Sequence, residues 1–399
     1  MKESMIKNMI KSMIKKLELT FPRVHAALRE QIIFRTVLTT SNKLLFHRKD
    51  LLVASSATTS RIANSSINDK ELINRMILAY QRENQIDLGH SMWKGFFTEY
   101  HQPIHEALIN KNEKIITDIF RNPGTSDLFY GFDILTKSYQ FVFRKKRVRE
   151  LYAKVCLDGL VRFAESIGAF PVENPENAFK KKILWKTEEV LAALDKTCIP
   201  FSMPNPFPDE YGLGSSRGVI SYRVPQALYQ AWRIKQLVGG TQNPRILEIG
   251  AGLGRTAFYA HELGIKDYTI VDLPISTMAQ AYYLGRTLGN ENIHLDGEQL
   301  NDNSNIVKII TPHTFFDENK KYDLILNVDS LSELDFGVAQ AYWDKIKVST
   351  NTFLSINHET NKFRVRDLLV EDLNSLIVNR GLYWMRRGYA EELIRIPAS

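Results

Sequence analysis

Apolar positions change their spacing several times along the chain. Residues 1–16 repeat every four residues: Met5-Ile6-Lys7, Met9-Ile10-Lys11 and Met13-Ile14-Lys15. On a helix this places methionine and isoleucine on one stripe with lysine along its border. From about residue 20 to 200 the spacing is helical. Leu72, Met76, Ile77 and Tyr80 share one face, and Val148, Leu151, Tyr152, Val155, Val161, Ala164 and Ile167 share another before Gly168 stops the run. Residues 200–225 are broken by Pro200, Pro204, Pro206, Pro208, Gly212, Gly214, Gly218 and Pro225, and read as a linker or an active-site loop. A helix over 226–238 ends at Gly239-Gly240. Strands are then expected near 245–249, 268–272, 306–311, 322–328, 352–357, 382–387 and 392–396. Helices are expected near 254–263, 275–288, 336–347 and 366–379. That alternation predicts a doubly wound α/β domain over 216–399. A basic helical arm (1–60) and a mainly α-helical domain (61–215) precede it.

Charge separates the arm from the rest. Residues 1–50 hold eleven Lys/Arg against four Asp/Glu, which is the whole of the +7 net charge. A basic amphipathic arm suits an anionic membrane surface or a partner, though a terminal helix packed on its own protein or a frayed end is the commoner case. The remainder is neutral, which argues against a nucleic-acid cleft across the α/β part. Cys156 and Cys198 are too few for a disulfide framework and lack metal-ligand spacing, so a reducing, cytoplasmic setting is expected. No run of about 18 apolar residues crosses a membrane, and the N-terminus lacks the apolar core of a secretory signal. The run Arg144-Lys145-Lys146-Arg147-Val148-Arg149 opens a helix. It reads as a solvated face or as a contact for a phosphorylated substrate. The aromatic run Phe129-Tyr130-Gly131-Phe132 reads as core.

The chemistry concentrates at strand ends. Arg245–Ile249 is a short run holding Glu248, and it leads into Gly250-Ala251-Gly252-Leu253-Gly254-Arg255 and a helix. Strand, glycine turn and helix in that order build a nucleotide crevice at the carboxyl edge of a parallel sheet. Asp272 ends the next strand about 20 residues on, where an acid holds ribose hydroxyls. The dinucleotide fingerprint requires glycine where Arg255 stands. The spacing Gly-x-Gly-x-Gly after an acid instead resembles the first motif of S-adenosylmethionine (SAM) methyltransferases. In that family the acid lies near the cationic methionine end of the ligand.

Two further strand ends are polar: Asn327-Val328-Asp329-Ser330-Leu331-Ser332-Glu333 and Ser355-Ile356-Asn357-His358-Glu359. Polar groups ending an apolar strand need partners, and a ligand is one. Methyl transfer to a hydroxyl benefits from a general base. His358 is the leading candidate, oriented by Glu359, with Asp329 and Glu333 as competitors. Asp329, His358 and Glu359 are also a possible Mg²⁺ set, although no metal is assigned. Exocyclic-amine DNA methylases carry Asn/Asp-Pro-Pro-aromatic where this chain has Asn327-Val328-Asp329-Ser330, and no cysteine lies nearby for C5 chemistry. Both absences weigh against nucleic acid.

A closer resemblance appears in Leu247–Thr256, Tyr268–Pro274, Asn327–Leu334, Ser355–Glu359 and Tyr383-Trp384-Met385-Arg386-Arg387-Gly388-Tyr389-Ala390-Glu391-Glu392. Ser91-Met92-Trp93, Arg121-Asn122-Pro123-Gly124 and Ser221-Tyr222-Arg223 fit as well. Over roughly residues 75–395 the chain resembles the bacterial sugar O-methyltransferase family found in surface-glycan gene clusters. The resemblance implies a Rossmann-like SAM-binding domain and transfer of a methyl group to a sugar hydroxyl. The acceptor would be a surface polysaccharide or its precursor, free, nucleotide-linked or lipid-linked. Glu248, Gly250, Ala251, Gly252, Gly254, Arg255, Asp272, Leu273 and Asn327 would hold the cofactor. Tyr222, Arg223, Glu333, Arg386 and Tyr389 would meet the substrate, their arginine forks suited to phosphate or carboxylate. The rivals are a nicotinamide-dependent oxidoreductase, disfavoured by Arg255 and Glu248, and a non-catalytic SAM-binding scaffold at a membrane surface.

Overall fold

The computed structural model describes residues 22–46, 57–60, 69–82, 92–172, 185–299 and 305–397. The repeat of residues 1–16, with the membrane or partner contact read from it, lies outside the described residues.

Among the described residues two sheets form. The small one is antiparallel, in the order β1 (Ala57–Thr59), β2 (Tyr211–Ser215), β3 (Gly218–Ile220). The stretch expected as a linker or loop is thus a hairpin, and its glycines permit it: a Cβ on Gly212 would lie 2.4 Å from the Ile220 carbonyl oxygen. The main sheet has eight strands. They are β4 (Ile246–Ile249), β5 (Tyr268–Val271), β6 (Ile293–Leu295), β7 (Val307–Ile310), β8 (Leu324–Val328), β9 (Thr352–His358), β10 (Ile377–Leu382) and β11 (Tyr389–Arg395), in the spatial order β10-β11-β9-β8-β4-β5-β7-β6. From β6 to β9 neighbours run parallel, and β11 alone runs antiparallel between β9 and β10. The chain starts at β4, winds out through β5, and returns to β8 on the other side. The junction of β4 and β8 is therefore the topological switch point, where a crevice opens at the strand carboxyl ends.

Alternate residues along each strand face opposite sides of the sheet. Ile246, Tyr268, Ile270, Ile309, Leu326 and Leu354 pack under the helices Arg223–Val238, Arg255–Glu262 and Pro274–Leu288. Leu247, Ile249, Val271, Ile325 and Phe353 pack under Phe336–Ser349 and Val365–Leu368. The first core runs without a break into the N-terminal helices, including Lys70–Arg82 and the long helix Lys146–Ser166. Polar ties cross the same seam. Arg75 grips Glu298 with two hydrogen bonds of 2.7 and 2.8 Å, and Asp69 accepts from Arg121 and from Tyr282 Oη at 2.8 Å.

Four expectations change near the C-terminus and at the edge. The helix expected over 366–379 is only Val365–Leu368, because Ile377–Leu382 pairs with β11 instead. The strand expected over 382–387 is the turn of that hairpin, and the last strand begins earlier, at Tyr389. The backbone there is claimed by the buried Arg162, which donates to the carbonyls of Trp384 (3.1 Å) and Met385 and pairs with Asp158 at 2.9 Å. The short strand β6 was not expected. Among the described residues no helix is long and apolar enough to cross a membrane. Arg144, Lys145, Lys146 and Arg147 are exposed, as for a solvated face, and Cys156 and Cys198 are free.

Candidate active site

After β4 the chain turns through Gly250 (φ +74°), Gly252 (φ +57°) and Gly254 (φ +81°) into the helix Arg255–Glu262. A Cβ on Gly250 would lie 2.2 Å from Ser330 Oγ, so only glycine lets the loop after β8 close onto this turn. At Gly252 an added Cβ would meet only the Phe132 carbonyl oxygen, in ordinary contact at 3.8 Å. The turn is thus a cradle with its backbone turned to the cleft.

Two carboxylates flank it. Glu248, buried on β4, accepts a hydrogen bond from Tyr268 Oη at 2.9 Å. Burial, helped by the charge of Asp272, raises its pKa to about 7 against the opposing bonds from Tyr268 and Thr256. Asp272 accepts from the Leu273 amide (2.8 Å) and from Gln280 Nε2 (2.7 Å), which also donates to the Gly252 carbonyl at 3.0 Å. Burial nonetheless lifts it to about 6. Ala251, Leu273 and Ser276 complete this wall.

Two residues expected at the cofactor, Arg255 on the cleft lining and Asn327 below it, are held by partners from the chain itself. The Arg255 guanidinium, only 7% exposed, is taken by Asp133 and by Glu210 at 2.8 Å, so it anchors the N-terminal helices to the glycine turn. Asn327 is fully buried beneath the cleft floor. It donates to the Ile249 carbonyl (3.0 Å) and to Ser330 Oγ, and accepts from Asn357 Nδ2 at 2.8 Å. Its amide sets the β8 loop against β4.

The opposite wall gathers charge. Asp329, at φ +56°, follows β8 and turns into the same cleft as Glu333 and Arg223. Arg386 Nη1 (3.0 Å) and Tyr389 Oη (2.7 Å) donate to its Oδ2, while its buried Oδ1 has no hydrogen-bond partner among the described residues. Burial alone would raise its pKa. The charges of Arg386 and Arg223, with the Tyr389 bond, outweigh that and hold it below the usual carboxylate range. Glu333 behaves oppositely: burial and the charge of Asp329 push it up to about 8, although Trp93 Nε1 donates to it at 3.2 Å. The two therefore act as a pair with one proton at neutral pH.

His358 joins this group at its rim. Its Nδ1 accepts from the Thr360 amide at 3.3 Å and faces Thr360 Oγ1 at 2.8 Å, and its Nε2 lies 3.5 Å from Asp329 Oδ1. A ring whose Nδ1 accepts an amide proton carries its own proton on Nε2 when neutral. That nitrogen is then a donor toward Asp329, and it is not free as a base. Glu359 does not orient the ring as expected. It pairs with Arg380 at 2.9 Å, and Thr360 takes the orienting part. Asp329, Glu333 and His358 bring ligand atoms within 4.8 Å of one another. A metal-binding imidazole normally donates from its far nitrogen, whereas here Nδ1 accepts, and Arg386 already neutralises Asp329. Glu359, expected in such a set, lies outside it on Arg380.

Arg386 and Tyr389, expected to meet substrate, stand behind Asp329, with the Arg386 guanidinium 4.2 Å above the Tyr389 ring. Tyr222 has its ring 5.8 Å from the guanidinium of Arg223 and of Arg386, and does not line the cleft itself. Trp93 and Phe132 supply an aromatic edge, with ring centroids 6.5 Å apart and planes 29° apart. Trp93 stands on the short helix Met92–Phe96, which passes into a π-turn at Phe97–His101, a widening often found at functional sites. Phe129 is core, as expected, but Phe132 is not wholly so. Nothing in the local spacing marks Phe132, Gln280 or Thr360. Their places follow from long-range packing.

Neither a family model nor a curated protein matches the chain. Among solved structures it is similar to the glycopeptide N-methyltransferase MtfA complexed with sinefungin, at 14% identity over 43% of this chain and 87% of that one, with a TM-score of 0.33. It is also similar to magnesium protoporphyrin IX methyltransferase (ChlM) from Synechocystis with bound SAM, at 14% identity over 44% and 81%, TM-score 0.34. A third is the ribosomal protein L11 methylase from Lactobacillus delbrueckii, at 15% identity over 44% and 80%, TM-score 0.30. The doubly wound fold itself rests on the strand order given above.

Proposed function

We propose that the chain is a SAM-dependent O-methyltransferase acting on a sugar hydroxyl. One observation carries this: the glycine cradle at the switch point is flanked by Glu248 and Asp272, two buried carboxylates whose charge burial disfavours. A cationic ligand relieves that strain, and a pyrophosphate would add to it. Arg255, the cation nearest the turn in sequence, is spent on Asp133 and Glu210. These facts favour a sulfonium cofactor over a dinucleotide. Glu248 would meet its cationic end, Asp272 its ribose hydroxyls, and the backbone at Gly250–Gly254 its flank.

Bound SAM supplies the methyl group as an electrophile. The residues of the chain must place an oxygen in line with it and take up one proton as the new C–O bond forms. Asp329 is suited to that task, because its neighbours hold it ionised and its Oδ1 has only His358 Nε2 beside it, at 3.5 Å. Arg386, Tyr389 and His358 hold it in place. The aromatic edge of Trp93 and Phe132 suits the apolar face of a sugar ring, in keeping with the family resemblance. Peripheral contact with a membrane through residues 1–16 belongs to the same proposal.

Equilibrium dialysis against SAM and NAD, side by side, tests the cofactor. SAM should be retained and NAD should not, and the reverse result ends this reading. Methyl-labelled SAM incubated with sugars tests the chemistry. The product should be an ether, stable to alkali, and retention of SAM without turnover on any acceptor would favour the scaffold.

A further inference from the structure

We propose that the acceptor carries an oxyanion, a carboxylate or a phosphate, which Arg223 holds beside the hydroxyl that is methylated. This rests on the reading of the cleft as a methyl-transfer site. The charges of the acceptor wall do not cancel. Asp329 is balanced by Arg386, its partner at 3.0 Å. Burial beside Asp329 favours the neutral form of Glu333. Arg223 lines the same cleft, half-exposed, and none of the described carboxylates forms an ion pair with it. One positive charge therefore remains on this wall. A planar guanidinium offers a fork of donors that matches carboxylate or phosphate.

The position of Arg223 assigns it to the acceptor and not to the cofactor. It begins the helix Arg223–Val238, and it and Arg386, the residue that grips Asp329, each lie 5.8 Å from the Tyr222 ring. Its charge is felt by Asp329 and Glu333, whereas burial, Tyr268, Asp272 and Thr256 account for Glu248. The cleft is polar along its length as a result. The glycine-turn wall is acidic and takes a cation, and the β8 wall keeps an unpaired cation and takes an anion. A donor and an acceptor of opposite charge are thereby kept from exchanging places.

The test uses the full chain loaded with S-adenosylhomocysteine and three probes: glucuronate, glucose 6-phosphate and glucose. Binding is read by calorimetry and by protection of Arg223 from phenylglyoxal, located by peptide mapping. One or both anionic probes should bind and protect, which also tells carboxylate from phosphate, and glucose should do neither. Arg223→Gln should weaken the anionic probe about tenfold or more, the usual worth of a charge-assisted hydrogen bond. S-adenosylhomocysteine binding should stay within about twofold, because no bond to it is lost. Equal protection by glucose, or no protection by either anion, overturns the proposal. So does full protection by S-adenosylhomocysteine alone, with Arg223→Gln weakening it but not 5′-methylthioadenosine, since the partner would then be the cofactor's own carboxylate. If the wild type binds no SAM, the underlying function fails instead, and the dialysis shows this separately.

Discussion

Affinity for SAM should rise with pH through the range where Glu248 loses its proton. Glu248 titrates at about 7 in the free protein because burial and Asp272 disfavour its charge. A cation bound beside it should return it toward the ordinary carboxylate range, so binding releases a proton and tightens as pH increases. With a free pKa of about 7, ionising Glu248 costs roughly 2 kcal/mol at about pH 5.5 and almost nothing at about pH 7.5. Asp272 titrates at about 6 and responds to ribose hydroxyls as well. The control is therefore 5′-methylthioadenosine, which keeps the nucleoside but has no sulfonium and no ammonium. The ratio of SAM affinity to methylthioadenosine affinity should rise about twentyfold across that interval, and Glu248→Gln should flatten it. Calorimetry in two buffers of different ionisation enthalpy should count the released proton. A ratio that does not move with pH would refute the reasoning. The sign for the free protein is opposite. A carboxylate raised above its unfolded value stabilises fully below that value and loses its contribution as pH rises through about 7, so SAM should raise Tm more at pH 7.5 than at pH 5.5.

Gly250→Ala should cost about 1–2 kcal/mol for its positive φ and more for the displaced Ser330, and should abolish SAM retention in dialysis. Adding Ser330→Gly should recover the second part of the loss, and no recovery would show that the clash is not the cause. Arg255→Met leaves Asp133 and Glu210 buried without their cation, and chemical denaturation should show a loss of about 3–5 kcal/mol. A loss under about 1 kcal/mol would show that the triad behaves as an exposed pair. Asp329→Asn should lower kcat by about 10²–10⁴-fold while His358→Ala lowers it by less than about tenfold. An acidic limb of kcat that vanishes in His358→Ala would instead return the base role to the imidazole.

The α/β half was legible because its signals are local. Four-residue apolar runs alternating with helices, and glycines after Glu248, name their elements directly. The helix expected over 366–379 failed for a non-local reason. The stretch holds helical spacing, but Ile377 and Val378 are β-branched, and a hairpin partner twelve or more residues away decided the outcome. Site residues divide the same way. Glu248, Asp272, Asp329 and Glu333 were legible as acids at strand ends. The direction of a side chain was not: Arg255 and Asn327 stand at the expected positions, yet each is consumed by a partner from distant sequence, Asp133 and Glu210 in one case and Asn357 in the other. Glu359 was misassigned because its neighbour in sequence, His358, lies on the other side of the strand, while Arg380 waits on β10.

The N-terminal helices are part of the site for energetic as well as geometric reasons. The sheet alone would supply Glu248, the glycines, Asp272, Asp329 and Glu333. It would lack Trp93, which donates to Glu333, and Phe132, whose carbonyl faces Gly252. It would also lack Asp133 and Glu210, the two carboxylates that pair with Arg255 at the root of the glycine turn. The apolar faces of Arg223–Val238 and Pro274–Leu288 would lose their cover as well. The same residues that close the cleft therefore stabilise its floor. The sheet thus builds the acidic wall of the cleft, while its aromatic and cationic wall is built jointly with the helices.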